Sequence, residues 1–311
     1  MTATPATTAD DARSEAMPDH DADPVELFIA TRPRDLGGFA VRRALPAPLK
    51  KMVGPFIFLD HIGPADLPAG DGINVRPHPH IGLATVTFLF SGEIHHRDSV
   101  GSDVVIHPGD VNWMIAGKGI THSERTTDAV RAVGQHLHGL QCWVALSDAD
   151  EACEPAFFHH PKATLPEGVV DGCRVVVIAG SAFGMTSPVQ TSSPLFYVEA
   201  RLAAGKRLRL PDAYEERAFY VARGVVGCGG RRCQEGDLIV VKPGVDVHID
   251  ADDDAHVMLL GGAPVGHRFI DWNFVASTKE RIEQAKDDWR AGKFPLVVGD
   301  TKEFIPLDPL A

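Results

Sequence analysis

Cysteine is scarce in this 311-residue chain: there are five, none in a Cys-x-x-Cys pair, and Cys228 and Cys233 are the closest two. An odd count without close pairs argues against a disulfide scaffold or a thiolate zinc site, so reduced thiols in a cytoplasmic protein are expected. No apolar run approaches the ~20 residues of a membrane-spanning helix. The N-terminus lacks the basic-then-apolar pattern of a secretory signal. Basic charge is also short, with 30 Lys and Arg against 42 Asp and Glu and a formal net charge of −12. A phosphate backbone needs a basic footprint, so direct nucleic-acid binding is not expected, and an anionic membrane surface is disfavoured in the same way. Residues Met1 to Pro24, rich in Thr, Ala, Asp and Pro, lack the apolar content to order themselves and read as a disordered acidic tail.

Beyond that tail, short apolar runs alternate with Gly, Pro and Asp clusters. ATVTFLF, DVNWMIA, QCWVAL, CRVVVIA and DLIVV are β-branched or aromatic segments of strand length. Many short strands with frequent turns predict an all-β protein of sandwiches or barrels. One helix is predicted late, in STKERIEQAKDDWRAGKF. Ser277 and Glu280 form a capping-box pattern, Ile282, Ala285 and Trp289 share a face, and Gly292 marks the stop. The chain also echoes itself. Pro108-Gly109-Asp110 followed by His122 resembles Glu235-Gly236-Asp237 followed by His248, with spacings that differ by one residue. Two similar β domains in tandem are therefore expected, with a boundary in the charged stretch DADEACEP, Asp148 to Pro155.

The stretch RPHPHIGLA places His78 and His80 two apart around Pro79. In a strand, residues i and i+2 face the same way, so both imidazoles aim at one point. Pro77 and Pro79 remove two ladder donors, which implies an edge or bulged strand. GKGITHSER puts His122 and Glu124 at the same spacing. If the two segments face each other, three imidazoles and one carboxylate converge, a set suited to a divalent first-row metal with positions left open for substrate and oxygen. Other histidines compete. His95 and His96 are adjacent, so they point to opposite faces, and HHRD reads as a turn with solvated polar groups. His136 and His138 read as hydrogen-bonded structural residues, although one of them can line the same cavity. His159 and His160 read as surface. Phe90, Trp113, Met114, His138, Gln141 and Trp143 are candidates for the wall of an aromatic-substrate pocket, with core packing as the competing role.

PHPHIGLATVTFLFSGEIHHRDSVGS, HPGDVNWMIAGKGITHSER and HGLQCWVAL together resemble the pirin family of the cupin superfamily, across most of residues 35 to 145 and more loosely to the terminal helix. Gly72, His78, His80 and Gly92 fit the general cupin motif, but Ala84 and Thr85 stand where its glutamate would be. The resemblance implies a bicupin: two tandem antiparallel β-sandwich or barrel domains with a C-terminal helix. These would be a metal-binding domain over 25–150 and a metal-free one over 151–311, because LPDAYEERA has no His-x-His. It implies His78, His80, His122 and Glu124 as ligands, and Fe(II) as the metal, another divalent first-row ion being possible. It further implies a quercetin 2,3-dioxygenase-type reaction on a small aromatic substrate and O2. Glu124 would take the proton of a flavonol 3-hydroxyl, and cleavage would release CO and a ring-opened ester. The alternative it carries is a non-catalytic iron-binding redox sensor, or a coregulator docking a protein partner.

Overall fold

The computed structural model describes residues 23–35 and 40–307. The predicted tail lies almost wholly outside them. Its last two residues are tied down: Pro24 accepts from the Lys242 amide at 2.9 Å, and Asp23 pairs with Arg231.

The architecture is all-β, as expected, and has two cupin-type halves. In the first half a seven-stranded antiparallel sheet runs in the order Ala156–His160, Val111–Ile115, Leu83–Ser91, Gln135–Ala145, Phe56–Leu67, Ala40–Leu45, Arg32–Asp35. Against one of its faces packs a four-stranded sheet in the order Asn74–His80, Ile120–Arg125, Ile94–Asp98, Asp103–Ile106. The second half repeats the plan with an eight-stranded sheet and a four-stranded one that contains His248–Ala251. The halves exchange edges. Val25–Ala30 pairs with Asp237–Val241 in the second half, and Ala156–His160 pairs with Val111–Ile115 in the first.

The two large sheets lie back to back. Ala84, Val86, Phe88, Trp113, Leu140 and Cys142 from one meet Ile178, Tyr197, Tyr220, Val240 and Met258 from the other in a single apolar cluster. The opposite faces of the same first-half strands line a second interior, with Leu83, Met114 and Trp143 in one cluster and Leu89 and Leu137 in another. A strand buried on both faces loses its polar alternation, which is why ATVTFLF reads as one apolar run.

The late helix spans Lys279–Arg290 and buries Ile282 and Ala285, as the spacing predicts. Its cap is one residue later than expected: Thr278, not Ser277, accepts from the Arg281 amide through Oγ1 at 3.3 Å. Ser277 is engaged elsewhere, its amide donating to Glu151 Oε2 at 2.9 Å. The helix docks on the hairpin formed by Phe269–Asp271 and Phe274–Ala276. The Asp148-to-Pro155 stretch is a clamped corner rather than an open linker: Glu151 is buried there and ion-paired to Arg281 at 3.2 Å. All five cysteines are free thiols, and Cys228 and Cys233 sit opposite Arg231 and Val226.

Candidate metal centre

Asn74–His80 is the edge strand of the small sheet, and it is bulged. His78 pairs with His122 and Val75 with Glu124, so one extra residue stands between Val75 and His78, where Pro77 has no amide to donate. Both features follow from the two prolines. The pairing puts His78 directly across from His122 and His80 across from Ile120, so the imidazoles converge on the interior side of the sheet. The ligand nitrogens of His78, His80 and His122 all lie within 4.8 Å of one another. Glu124 follows His122 by two residues and is buried on the same side.

The hydrogen-bond partners fix the tautomers. His78 Nδ1 donates to the Arg76 carbonyl at 2.9 Å, and His80 Nδ1 to the Asn273 carbonyl at 3.0 Å. Each ring is thus held from behind, with Nε2 left as a bare acceptor. His122 is held through a longer chain. Asp98, fully buried and accepting from the Val100 and Ser102 amides, takes the proton of His96 Nε2 at 3.0 Å. His96 Nδ1 is then an acceptor and lies 3.4 Å from His122 Nδ1. That leaves His122 Nε2 without a proton, 3.1 Å from the equally bare Nε2 of His80.

Two lone pairs facing each other at that distance repel unless a cation sits between them. The 3.1 Å separation is short enough for both nitrogens to bind one shared ion. Burial pushes His78 down to about 4 and holds His80 and His122 well below the usual imidazole range, so all three are neutral and able to ligate. Burial pushes the Glu124 carboxyl up, opposed by nearby His96 and by hydrogen bonds from Gln141 and Thr87. A divalent ion would restore its charge. The donor set therefore fits a divalent first-row metal.

The expected pocket residues divide between the two faces of the large sheet. Gln141, Trp143 and Met114 face this interior: Gln141 Nε2 donates to Glu124 Oε1 at 2.8 Å, and Trp143 packs edge-on to His80 with ring centroids 5.0 Å apart. Phe90, Trp113 and His138 do not join them. Trp113 lies in the apolar cluster between the halves and Phe90 packs against it, while His138 meets His61, Nε2 to Nε2, at 2.7 Å. Phe90 and Trp113 differ by an odd number of residues from wall-facing neighbours such as Leu89 and Met114, and strand alternation sends them the other way.

His96 is the residue that sequence reasoning missed. Ile94–Asp98 is a strand, not a turn, and although His95 and His96 do face opposite ways, His96 is buried with its ring stacked on Phe157. The missed signal was the alternation itself, because His96 and Asp98 share the His122 side of the strand. His159 is also less exposed than expected, bonding Asn112 Oδ1 at 2.8 Å.

Family models for Pirin and for the Pirin C-terminal cupin domain match residues 38–144 and 197–295. The chain belongs to the pirin family. A pirin-like protein of Caulobacter vibrioides is 52% identical over 286 residues, covering 91% of this chain and 99% of that one. Human pirin is 32% identical over 279 residues, covering 86% and 93%. Among solved structures, a quercetin 2,3-dioxygenase from Acinetobacter baumannii aligns with a TM-score of 0.84 at 32% identity, covering 92% of this chain and 95% of that one. Pirin-family membership accounts for the paired cupin halves.

Proposed function

We propose that this pirin is a metal-dependent dioxygenase that cleaves a flavonol such as quercetin with O2 and releases CO, with His78, His80, His122 and Glu124 as the ligands and Fe(II) as the metal. The observation that carries this reading is the pair of unprotonated Nε2 atoms 3.1 Å apart, with the His78 imidazole beside them. The likeness to a quercetin 2,3-dioxygenase over nearly the full chain supports the choice of substrate class.

A bound ion of this kind supplies a Lewis-acidic centre with positions for substrate and dioxygen. The chain's residues do the rest. Glu124, whose carboxyl burial pushes up when no ion is bound, accepts the flavonol 3-hydroxyl proton as a carboxylate whose charge a bound ion would restore. Gln141 orients the carboxylate through Oε1. Trp143 and Met114 belong to the apolar cluster beside the centre, and the Trp143 indole N–H, buried without a partner among the described residues, is a donor available to a substrate oxygen. Exclusion of water strengthens each of these contacts.

The test is aerobic incubation of Fe(II)-loaded protein with quercetin, following the flavonol absorbance and released CO. Wild type consumes the flavonol and the His80→Ala variant does not. If metal-replete wild type leaves quercetin untouched, the sensor or partner-docking role replaces the catalytic one.

A further inference from the structure

A second constellation lies on the opposite side of the large sheet, at the rim where the two halves meet. In the second half, Arg174 pairs across strands with Arg201, Arg201 with His256, and His256 with Arg223. Four basic residues thus stand in one row across four adjacent strands. Arg174 and Arg201 put like charges directly opposite one another, which destabilises a sheet, and this chain carries net negative charge, so that pairing is not what folding alone would select. It marks the outer end of the interface whose apolar part includes Tyr197, Ile178 and Met258.

The row forms one wall of a cleft of about 690 Å3. The first half supplies the other wall with Phe90, whose ring centroid lies 4.2 Å from that of His256 and 4.8 Å from that of His138. Glu199 compensates part of the charge, pairing with Arg201 and His256 at 2.9 Å and with Arg174 at 3.4 Å. Arg174 is held by Glu167 as well. Arg223 is exposed and makes no ion pair or hydrogen bond among the described residues. Asp254, also on the rim, accepts the Ala204 amide and disfavours a second negative charge.

We propose that this cleft binds a small aromatic carboxylate, its single negative charge held by Arg223 and Arg201 and its ring laid on Phe90. One uncommitted guanidinium and a half-satisfied neighbour suit a monoanion, and guanidinium matches carboxylate geometry two bonds at a time. The aromatic wall suits a flat apolar body and gives nothing to inorganic phosphate. The cleft is separated from the imidazole centre by the thickness of the large sheet, so the proposal stands apart from the dioxygenase reading.

Calorimetric titration of the full-length, metal-loaded protein with benzoate tests it, with inorganic phosphate as the second probe. Benzoate is expected to saturate at one equivalent. Arg223→Gln, a change at an exposed side chain, is expected to weaken binding at least tenfold while leaving melting temperature and quercetin turnover unchanged. His80→Ala is expected to leave benzoate binding intact. No saturable benzoate heat, equal affinity in Arg223→Gln and Arg201→Gln, loss of binding in His80→Ala, or phosphate binding tighter than benzoate would each overturn the proposal.

Discussion

The proton order around His122 is the most specific feature among the individual side chains. Asp98 and His96 do not touch a substrate; they decide which nitrogen of His122 is bare. His96→Gln removes the ring that receives the His122 Nδ1 proton. Loss of such a supporting partner typically weakens metal binding about 10–100-fold, and competition with a chelator of known affinity reads the change directly. An unchanged affinity would mean that His122 is oriented by its strand alone. Glu124→Gln is expected to keep most of the metal, because three imidazoles remain, while turnover falls by about 100-fold or more through loss of the proton acceptor. Full activity in that variant would remove Glu124 from the proton step. The convergence of His78, His80 and His122 is legible in the sequence because i, i+2 spacing is a backbone property. His96 is not, because adjacency to His95 suggests a turn, whereas the strand's pairing with Ile120–Arg125 decides its direction.

Among strands and helices, the late hairpin links the terminal helix to the metal centre. Ile81 pairs with Phe274 directly after His80, and Asn273 at the hairpin tip accepts the His80 Nδ1 proton. Ile282, Phe274 and Ile81 share one cluster. Ile282→Ala is expected to destabilise by about 2–4 kcal/mol through the cavity it leaves, and to lower metal retention because the hairpin loosens behind His80. Thermal melts and metal content after dialysis check the two effects; a lowered melting temperature with full metal retention would uncouple the hairpin from the site. The bulged edge strand could be read from Pro77 and Pro79, since a missing amide has few places in a sheet. The helix cap was misread by one residue because Ser277 and Thr278 are both competent caps, and only the tertiary pull of Glu151 on the Ser277 amide separates them.

Taken as one body, the protein gathers neutral histidines in buried and half-buried places. Burial holds His61 down to about 2 and His138 and His78 to about 4, and lowers His80, His122, His160 and His256 as well. An unfolded histidine binds its proton below ~6.5. Between ~6.5 and about 4 the unfolded chain therefore holds more protons than the folded one, and stability falls as pH falls through that window. Asp60, Glu124 and Asp237, pushed up by burial, act in the opposite sense but are fewer. The melting temperature of metal-free protein is expected to be flat above pH 7 and to drop between pH 6.5 and 5; no drop there would contradict the burial argument. The two-half plan was visible in the repeated Gly-Asp turns. The placement of Phe90 and Trp113 was not, because the large sheet is buried on both faces and apolar content alone cannot say which interior a residue enters.

The central claim is that one cation is shared by His78, His80 and His122. It is tested most directly by anaerobic Fe(II) titration of metal-free wild type beside His78→Ala, His80→Ala and His122→Ala, reading bound metal per chain. The account predicts one tightly bound equivalent in wild type and at least a hundredfold weaker binding in each folded variant. Wild type that takes up no ion, or variants that take it up equally well, would contradict it.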